Sequence, residues 1–348
     1  MAPPLPLILA RQAMATRFEI VLHGGHPAAL RAAAEEAFEE IARIEALLSA
    51  YRPDSEISRV NACAHQRPVR VSPLVFQLLE HCRRLWEETQ GAFDITLLPL
   101  LRCWDLAGGP GRVPGEEELT QARQRVGMEH VRLDEAACTV EFGAPGMMLD
   151  LGAVGKGYAL DRAVTLLREA GMECGLIHGG TSSVYGFGHP PDQEAWRVAL
   201  ELPGWLVSGI PANPERSGQS PMSVHSTPDA TTAGRVVVAV VELRDASLSV
   251  SASWGKAFRV GDELYGHILD PSTGAPAKNA IMAAVVWPFA TEGDALSTAL
   301  MVRGIPGQER LHALRPSMRS LVTVLTESEV IIRGVGITSL AGVRLSRR

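Results

Sequence analysis

The sequence has few cysteines, and their spacing does not suit a structural role. The five are Cys63, Cys82, Cys103, Cys138 and Cys174. An odd number with no Cys-x-x-Cys pair argues against a disulfide framework and against the usual zinc-binding patterns. We therefore expect reduced, mostly buried thiols in a cytosolic protein.

An excess of positive charge is also missing. The formal net charge of the 348 residues is -6, and the charged residues, 21% of the chain, mix both signs along the sequence. This pattern gives no basic stripe that could neutralise a phosphate backbone. We expect no nucleic-acid partner, and the length is sufficient for one large core or two modest ones.

The apolar patch near the N-terminus, Leu5–Ala10, contains a proline and has no basic residue before it. It is too short for the core of a signal peptide and far too short to span a bilayer. No cysteine follows it at a position for a lipid anchor. The sequence therefore predicts a cytoplasmic protein with no membrane span.

Two common nucleotide-binding loops are absent. The segment Gly152-Ala-Val-Gly-Lys-Gly157 does not have the GxxxxGK[ST] spacing of a Walker loop. Gly186-Phe-Gly188 is followed by His189, so GxGxxG is not completed either. The missing GxGxxG argues against a conventional flavin or nicotinamide oxidoreductase.

Helix and strand patterns alternate irregularly along the chain. Apolar residues recur at helical spacing over Pro27–Tyr51, and Ser72 and Pro73 begin a second helix that Gly91 ends. Further strands are expected at Arg235–Leu243, Ile281–Trp287 and Ser320–Glu327, and further helices at Lys156–Ala170 and Glu292–Arg303. Without a regular βαβ repeat, this order predicts an α+β fold.

The segment Asp150–Tyr158 has three glycines ahead of a helical pattern. Glycines allow close approach of a ligand, and the N–H groups of a helix start attract phosphate, for which Lys156 would add a positive charge. A tight turn before a helix is an equally good interpretation of this segment alone.

Asp294 and Thr298 lie four residues apart, on one face of the predicted helix. Their carboxylate and hydroxyl oxygens are ligands that magnesium accepts while keeping water or phosphate oxygens in its other positions. The alternative is that Asp294 only caps the helix or interacts with its dipole.

A histidine precedes a turn in Tyr265–Gly274. With an unperturbed pKa of roughly 6.5, His267 is a candidate base near neutral pH, although a single histidine beside a turn is more often structural.

Two segments combine aromatic and polar residues. Tyr51 and Trp104 offer flat faces for stacking a ring, and the orienting hydrogen bonds would come from Asn61, Asp94 and Thr96. Each aromatic residue taken alone is more typical of a core.

Taken in order, these segments resemble the FAD:protein FMN transferase family, the ApbE-type flavin transferases. The resemblance begins at Met14-Ala-Thr16 and continues through SAYRPDSEISRVN, GAFDITLLPLLRCW, DLGAVGKGYALD, HGGTSS, YGHILDPSTGAP and GDALSTAL. It implies the ApbE-like α+β fold, with mixed sheets, packed helices and a site between two subdomains. We expect one domain over residues 13–335, with a flexible insertion at 203–234, where Pro, Gly, Ser and Thr are frequent.

The resemblance also implies the composition of the site. Magnesium would be bound by Asp294, Thr298 and the backbone carbonyl of Gly155, and the position of His267 is implicated in catalysis. The residues expected to bind FAD are Met14, Tyr51, Asn61, Asp94, Thr96, Trp104, Gly152, Lys156, Gly157, Gly180, Ser251 and His267.

The implied activity is Mg²⁺-dependent transfer of FMN from FAD, as substrate, to a serine or threonine hydroxyl of an acceptor protein, with release of AMP. One alternative is a magnesium-dependent FAD pyrophosphatase that produces FMN and AMP. Another is a non-catalytic flavin-binding or trafficking protein, because Thr181 and Ala252 replace an aspartate and a glycine that the family usually has.

Overall fold

The computed structural model describes residues 5–206, 222–223, 234–261, 263–326, 329–338 and 345–346. The helices are α1 (Pro27–Leu48), α2 (Glu56–Cys63), α3 (Pro73–Glu88), α4 (Leu98–Cys103), α5 (Glu116–Arg123), α6 (Gly155–Glu169) and α7 (Ala290–Leu314). The strands are β1 (Leu7–Ala13), β2 (Thr16–His23), β3 (Val69–Arg70), β4 (Val131–Asp134), β5 (Thr139–Phe142), β6 (Cys174–Gly179), β7 (Ser183–Phe187), β8 (Trp196–Pro203), β9 (Met222–Ser223), β10 (Arg235–Leu243), β11 (Ala246–Ala252), β12 (Ala257–Val260), β13 (Glu263–Gly266), β14 (Met282–Trp287), β15 (Arg319–Leu325), β16 (Glu329–Val335) and β17 (Leu345–Ser346).

A large antiparallel sheet organises the described residues, with strand order β1-β2-β6-β7-β11-β14-β15-β16-β17. Its central strands are largely apolar on both faces because both faces are covered. Ile20 and Ala283 pack with α1, α6 and α7 in the main core. Their neighbours Val21 and Ala284 point to the opposite face and pack with β8 and β10 in a second core. The alternation follows from the two-residue period of a strand.

Three smaller sheets complete the architecture of the described residues: β10-β8-β9, the hairpin β12-β13, and β3-β5-β4. The β12-β13 hairpin carries Phe258 and Tyr265, which belong with Trp104 to a small separate core. The expected α+β class is confirmed by this arrangement. None of the helices in the described part of the chain is long and apolar enough to cross a membrane.

Several predicted elements appear close to their expected bounds. Helix α3 begins after Ser72, whose hydroxyl accepts a hydrogen bond from the N–H of Val75, and β10 covers the predicted residues. Helix α7 is longer than the predicted Glu292–Arg303. The backbone of Gly304 is non-helical, with φ of 60°, so the helix bends there and continues.

The expectation that the cysteines are mostly buried is wrong. Cys82 and Cys103 are buried, whereas Cys63, Cys138 and Cys174 are partly exposed, and all five are free.

Most of the predicted insertion at 203–234 lies outside the described residues. The domain limits 13 and 335 stay a prediction. Strand β1, which pairs with β2, begins before residue 13, and strand β17, which pairs with β16, lies after residue 335.

The starts of α6 and α7 meet at very short range. A Cβ atom added to Gly157 would lie 2.1 Å from the carbonyl oxygen of Ala290. Only glycine fits at such a contact, because the opposing atoms belong to backbone that cannot turn aside. The packing of these two helices therefore depends on the absence of a side chain at position 157.

We predict that Gly157→Ala lowers the free energy of unfolding by about 3 kcal/mol or more, since overpacking against backbone leaves no rotamer that relieves the contact. Gly155→Ala is the matched control: a Cβ there meets no atom within 4 Å. We expect it to change stability by less than about 1 kcal/mol. Urea denaturation of the metal-free proteins measures both effects, and equal stability of the two variants would contradict this account of the helix contact.

Candidate functional site

The carboxylate of Asp294 lies at the meeting point of the two helices. It is buried, and its Oδ2 accepts a hydrogen bond of 2.7 Å from the N–H of Gly157, while its Oδ1 accepts one of 2.7 Å from the hydroxyl of Ser183. Burial raises the pKa of the carboxyl, and the positive charge of Lys156 is the strongest influence in the opposite direction. A buried carboxylate bonded to neutral donors is a site that a cation would stabilise.

Hydroxyl groups of β11 and α7 lie next to Asp294 and the first turns of its helix. The Oγ of Ser251 lies 2.9 Å from the Oγ of Ser297 and 3.4 Å from the Oγ1 of Thr298. Thr298 donates to the backbone carbonyl of Asp294 at 3.0 Å. Ser249 differs from these residues. Its buried Oγ makes no hydrogen bond of normal geometry within the described residues. It nevertheless lies near enough to the carboxyl of Asp294 to stabilise the charged form of that group.

These residues fit a hard divalent cation. The available donors are a carboxylate, hydroxyls and backbone carbonyls, all of them oxygens of the kind that magnesium prefers. Gly155 is buried, yet a Cβ added there would meet no atom, which leaves space beside its backbone. Within the described residues, no three His, Cys, Asp or Glu side chains are grouped for metal binding. A cation here would keep coordination positions for water or phosphate oxygens.

The N–H groups of Gly155 and Gly157 at the start of α6 are not free to bind a phosphate, although the glycine-rich sequence suggested that they would be. The N–H of Gly155 donates to the carbonyl of Leu151 at 2.7 Å, and the N–H of Gly157 donates to Asp294. The anion that the N–H of Gly157 attracts is therefore the protein's own carboxylate. The charge of Lys156 acts on both Asp294 and His267, and its binding of phosphate stays a prediction.

His267 is held with its Nε2 as the acceptor atom. Its Nδ1 lies 2.9 Å from the backbone carbonyl of Lys256, and because a carbonyl only accepts, the proton of the neutral ring is on Nδ1. The pKa of His267 is lowered to about 4, mainly by burial, with a smaller contribution from the charges of Lys256 and Lys156, while the hydrogen bond to the Lys256 carbonyl acts in the opposite direction. The ring is consequently neutral near pH 7.

Tyr51 is fixed at its hydroxyl and open at its ring. The hydroxyl donates to Oδ2 of Asp150 at 2.9 Å, and Oδ1 of the same carboxylate accepts the N–H of Gly152 at 2.6 Å. The residue is 60% exposed, so the interpretation of Tyr51 as a core residue is wrong. Burial of the hydroxyl end and the neighbouring Asp150 both raise the pKa of the phenol.

Trp104 lies in a core instead of on a surface. It is 4% exposed, its Nε1–H donates to the carbonyl of Gly274 at 2.7 Å, and its ring lies 5.7 Å from that of Tyr265. These contacts hold the turn that follows His267 against α4. The structure thus gives Trp104 a supporting position, and its stacking on FAD stays a prediction.

Three other predicted residues fasten backbone segments. The amide of Asn61 donates to the carbonyl of Leu149 at 2.9 Å and accepts its N–H at 2.7 Å, immediately before Asp150. Oδ1 of Asp94 accepts from both the N–H and the hydroxyl of Thr96, at 2.7 and 2.6 Å. Burial raises the pKa of Asp94. Direct binding of FAD by these side chains stays a prediction.

Met14 and Gly180 belong to two turns that meet at one end of the large sheet. Met14 has a φ of 49° in the turn between β1 and β2. Gly180, with a φ of 64°, donates to the carbonyl of Arg17 at 2.9 Å, and a Cβ there would lie 2.3 Å from the hydroxyl oxygen of Thr16. The turn at Gly180 leads directly into β7, whose first residue, Ser183, donates a hydrogen bond to Asp294.

With this geometry in place, comparison with known proteins gives a consistent result. The family model described as "ApbE family" matches residues 14–321, which is most of the chain. The chain belongs to the ApbE family.

The family assignment agrees with individual relatives. A curated FAD:protein FMN transferase of Treponema pallidum is 31% identical over 303 residues, covering 85% of this chain and 78% of that protein. The crystal structure of the ApbE protein of Thermotoga maritima has a TM-score of 0.78 and 26% identity, covering 94% of this chain and 96% of that one. Flavin transferase ApbE from Vibrio cholerae has a TM-score of 0.78 and 25% identity over 95% and 97% of the two chains.

Some residues of this ApbE site were not singled out from the sequence. Ser183 on β7 and Ser249 on β11 approach Asp294 from the sheet, Ser297 bonds the Asp294 carbonyl within α7, and Asp150 anchors Tyr51. Ser183 and Asp150 lie within the motifs HGGTSS and DLGAVGKGYALD, so membership of these motifs was the one indication that the sequence offered for them. Their partners lie far away in the sequence, which no local pattern reveals.

We predict that His267 shows no protonation step between about pH 5.5 and 8, because its pKa in the folded protein is about 4. NMR titration of the histidine Cε1–H signals of the metal-free protein tests this, with His267→Asn to assign the signal. Since an unfolded histidine titrates near about 6.5, this group should add stability as the pH rises from about 4 to about 6.5. A midpoint near about 6.5 for the folded protein would show that the ring is solvated.

Proposed function

We propose that this chain transfers FMN from FAD to a serine or threonine hydroxyl of an acceptor protein in a magnesium-dependent reaction that releases AMP. The observation that carries the proposal is the buried Asp294 carboxylate, which accepts a hydrogen bond from the hydroxyl of Ser183 and lies near Ser249 and Lys156. Lys156 also acts on the neutral His267. Its ApbE family membership and relatives named FAD:protein FMN transferase support the same activity.

Asp294, Thr298 and the carbonyl of Gly155 are the proposed metal ligands. A magnesium ion there would neutralise charge on the pyrophosphate of FAD and on the departing AMP. Asp294 is kept in place by its bonds to Gly157 and Ser183, so the ligand is oriented before substrate arrives. Lys156 adds a positive charge for the same phosphates.

His267 is the proposed base. Its Nε2 accepts the proton of the acceptor hydroxyl as the oxygen of that hydroxyl bonds to the phosphorus of the FMN half. The bond from this phosphorus to the oxygen of the AMP phosphate breaks, and AMP leaves with that oxygen. The product is a phosphoester between FMN and the acceptor side chain, with FAD bound partly against the exposed ring of Tyr51.

The proposal includes a cytoplasmic location and a single transferase domain over residues 13–335. Binding of FAD by the twelve residues identified from the sequence is part of it as well. The pyrophosphatase and the non-catalytic flavin-binding protein are outcomes that the following experiment separates, since all three activities would use the same residues.

We expect AMP release from FAD and covalent FMN on peptide to require magnesium, and to fall at least roughly 100-fold in Asp294→Asn, because the ligand charge is removed. Thr298→Val should also reduce both products. The matched control is Thr165→Val, which removes a helical threonine hydroxyl bonded to the carbonyl four residues before it, as in Thr298, but at an exposed position of α6.

The products are measured by chromatography for AMP and by mass spectrometry for FMN adducts on a pooled library of serine- and threonine-containing peptides. AMP without an adduct, with or without peptide, would identify a pyrophosphatase. FAD binding without AMP would leave only the binding protein. Full activity of Asp294→Asn would remove this carboxylate from the metal site.

A further inference from the structure

Asp161, a partly buried carboxylate on α6, has no part in the proposed chemistry, yet it receives three hydrogen bonds from the start of α7. Its Oδ1 accepts the N–H of Ala290 at 2.8 Å, and its Oδ2 accepts the N–H of Thr291 at 2.8 Å and its hydroxyl at 2.5 Å. The N-cap residue of α7, Phe289, supplies no capping side chain. Asp161 therefore caps α7 from outside that helix.

A carboxylate of α7 caps the start of α6 in the same way. Val154, the N-cap residue of α6, also lacks a capping side chain, and the N–H of Gly157 in the first turn of α6 is bonded to Asp294 of α7. Each helix thus uses a carboxylate to cap the start of the other. The distance between the two helix starts is fixed by both caps and by the backbone contact at Gly157.

We propose that Asp161 is a positioning residue: by capping α7 it sets where Asp294 and Thr298 lie against the start of α6. Asp294 follows Ala290 by four residues, about one helical turn, so a shift of the first turn of α7 moves the carboxylate with it. The metal role of Asp294 and Thr298 rests on the proposed function, whereas the reciprocal capping does not.

The electrostatics of the pair agree with this role. The pKa of Asp161 is raised to about 6: burial is the main cause and the charge of Asp294 contributes, while the three donors of α7 act in the opposite direction. Two carboxylates near each other are therefore held in place against desolvation and mutual repulsion by the helix starts that they cap.

Amide hydrogen exchange of the metal-free, FAD-free protein tests the proposal. Asp161→Asn keeps the side-chain shape but loses one acceptor oxygen, so Ala290 or Thr291 must exchange faster. A positioning role requires in addition that the amide of Gly157 exchanges roughly tenfold faster, although its N–H is bonded to Asp294 and not to the side chain of residue 161. Thr291→Val removes one of the three bonds and should show a weaker form of the same pattern.

Ser72→Ala is the control for a general loss of stability. It removes the cap of α3, and it should leave the exchange of Gly157 at the wild-type rate. Faster exchange confined to Ala290 and Thr291 in Asp161→Asn would make Asp161 a local cap and overturn the proposal. If Asp161→Asn does not fold, an unchanged exchange rate of the Gly157 amide in Thr291→Val overturns the proposal in the same way.

Calorimetric titration with Mg²⁺ alone provides a second readout without turnover. We expect Asp161→Asn to bind Mg²⁺ roughly tenfold more weakly than the wild type, as for other residues that orient a ligand, and Ser72→Ala to bind it equally. Equal Mg²⁺ affinity in Asp161→Asn and wild type overturns the positioning role. No Mg²⁺ binding by the wild type would count against the proposed function, and the exchange experiment would still decide the capping.

Discussion

The close approach of the starts of α6 and α7 is the constraint on which the candidate site depends. Each helix start carries a partial positive charge of roughly half an elementary charge, and two such ends side by side repel each other. Asp161 and Asp294 place a negative charge at each end. The contact is possible sterically because Gly157 has no side chain. The carboxylate proposed to bind metal is therefore also part of the helix packing.

The large sheet supplies the other half of the site. Ser249 on β11 is directly paired with Ser183 on β7, and both point to the face covered by the helices. Ser251 lies two residues further along β11, on the same face, and reaches Ser297 and Thr298. The register of two strands thus arranges small hydroxyl side chains below the first turns of α7. Larger residues at these positions would separate the helix from the sheet.

Local patterns in the sequence predicted the features that depend on local physics. The spacing of apolar residues and the Ser72 cap located helices, and the interval of four between Asp294 and Thr298 placed both on one helical face. The position of Tyr51 could not be predicted in this way, because its hydroxyl is bonded to Asp150, a partner that is distant in sequence.

Contacts between distant segments explain what the sequence did not reveal. Asp161 and Thr291 are 130 residues apart, and Ser183 and Asp294 are 111 apart. The helix start at Gly155 looked suitable for phosphate because its sequence contains no information about the carboxylate that approaches from α7. The family resemblance predicted the family correctly, since it rests on motifs spread over most of the chain and not on the spacing within one segment.

The fixed hydroxyl of Tyr51 has a consequence for any planar molecule that binds beside it. A free tyrosine on a surface samples several orientations and loses that freedom when a ligand stacks on it. Here the ring is exposed while its far end is bonded to Asp150, which is itself bonded to Gly152 at the entrance of α6. The ring is preorganised, so its ordering entropy is lost during folding and does not weaken the later encounter with a flat ligand.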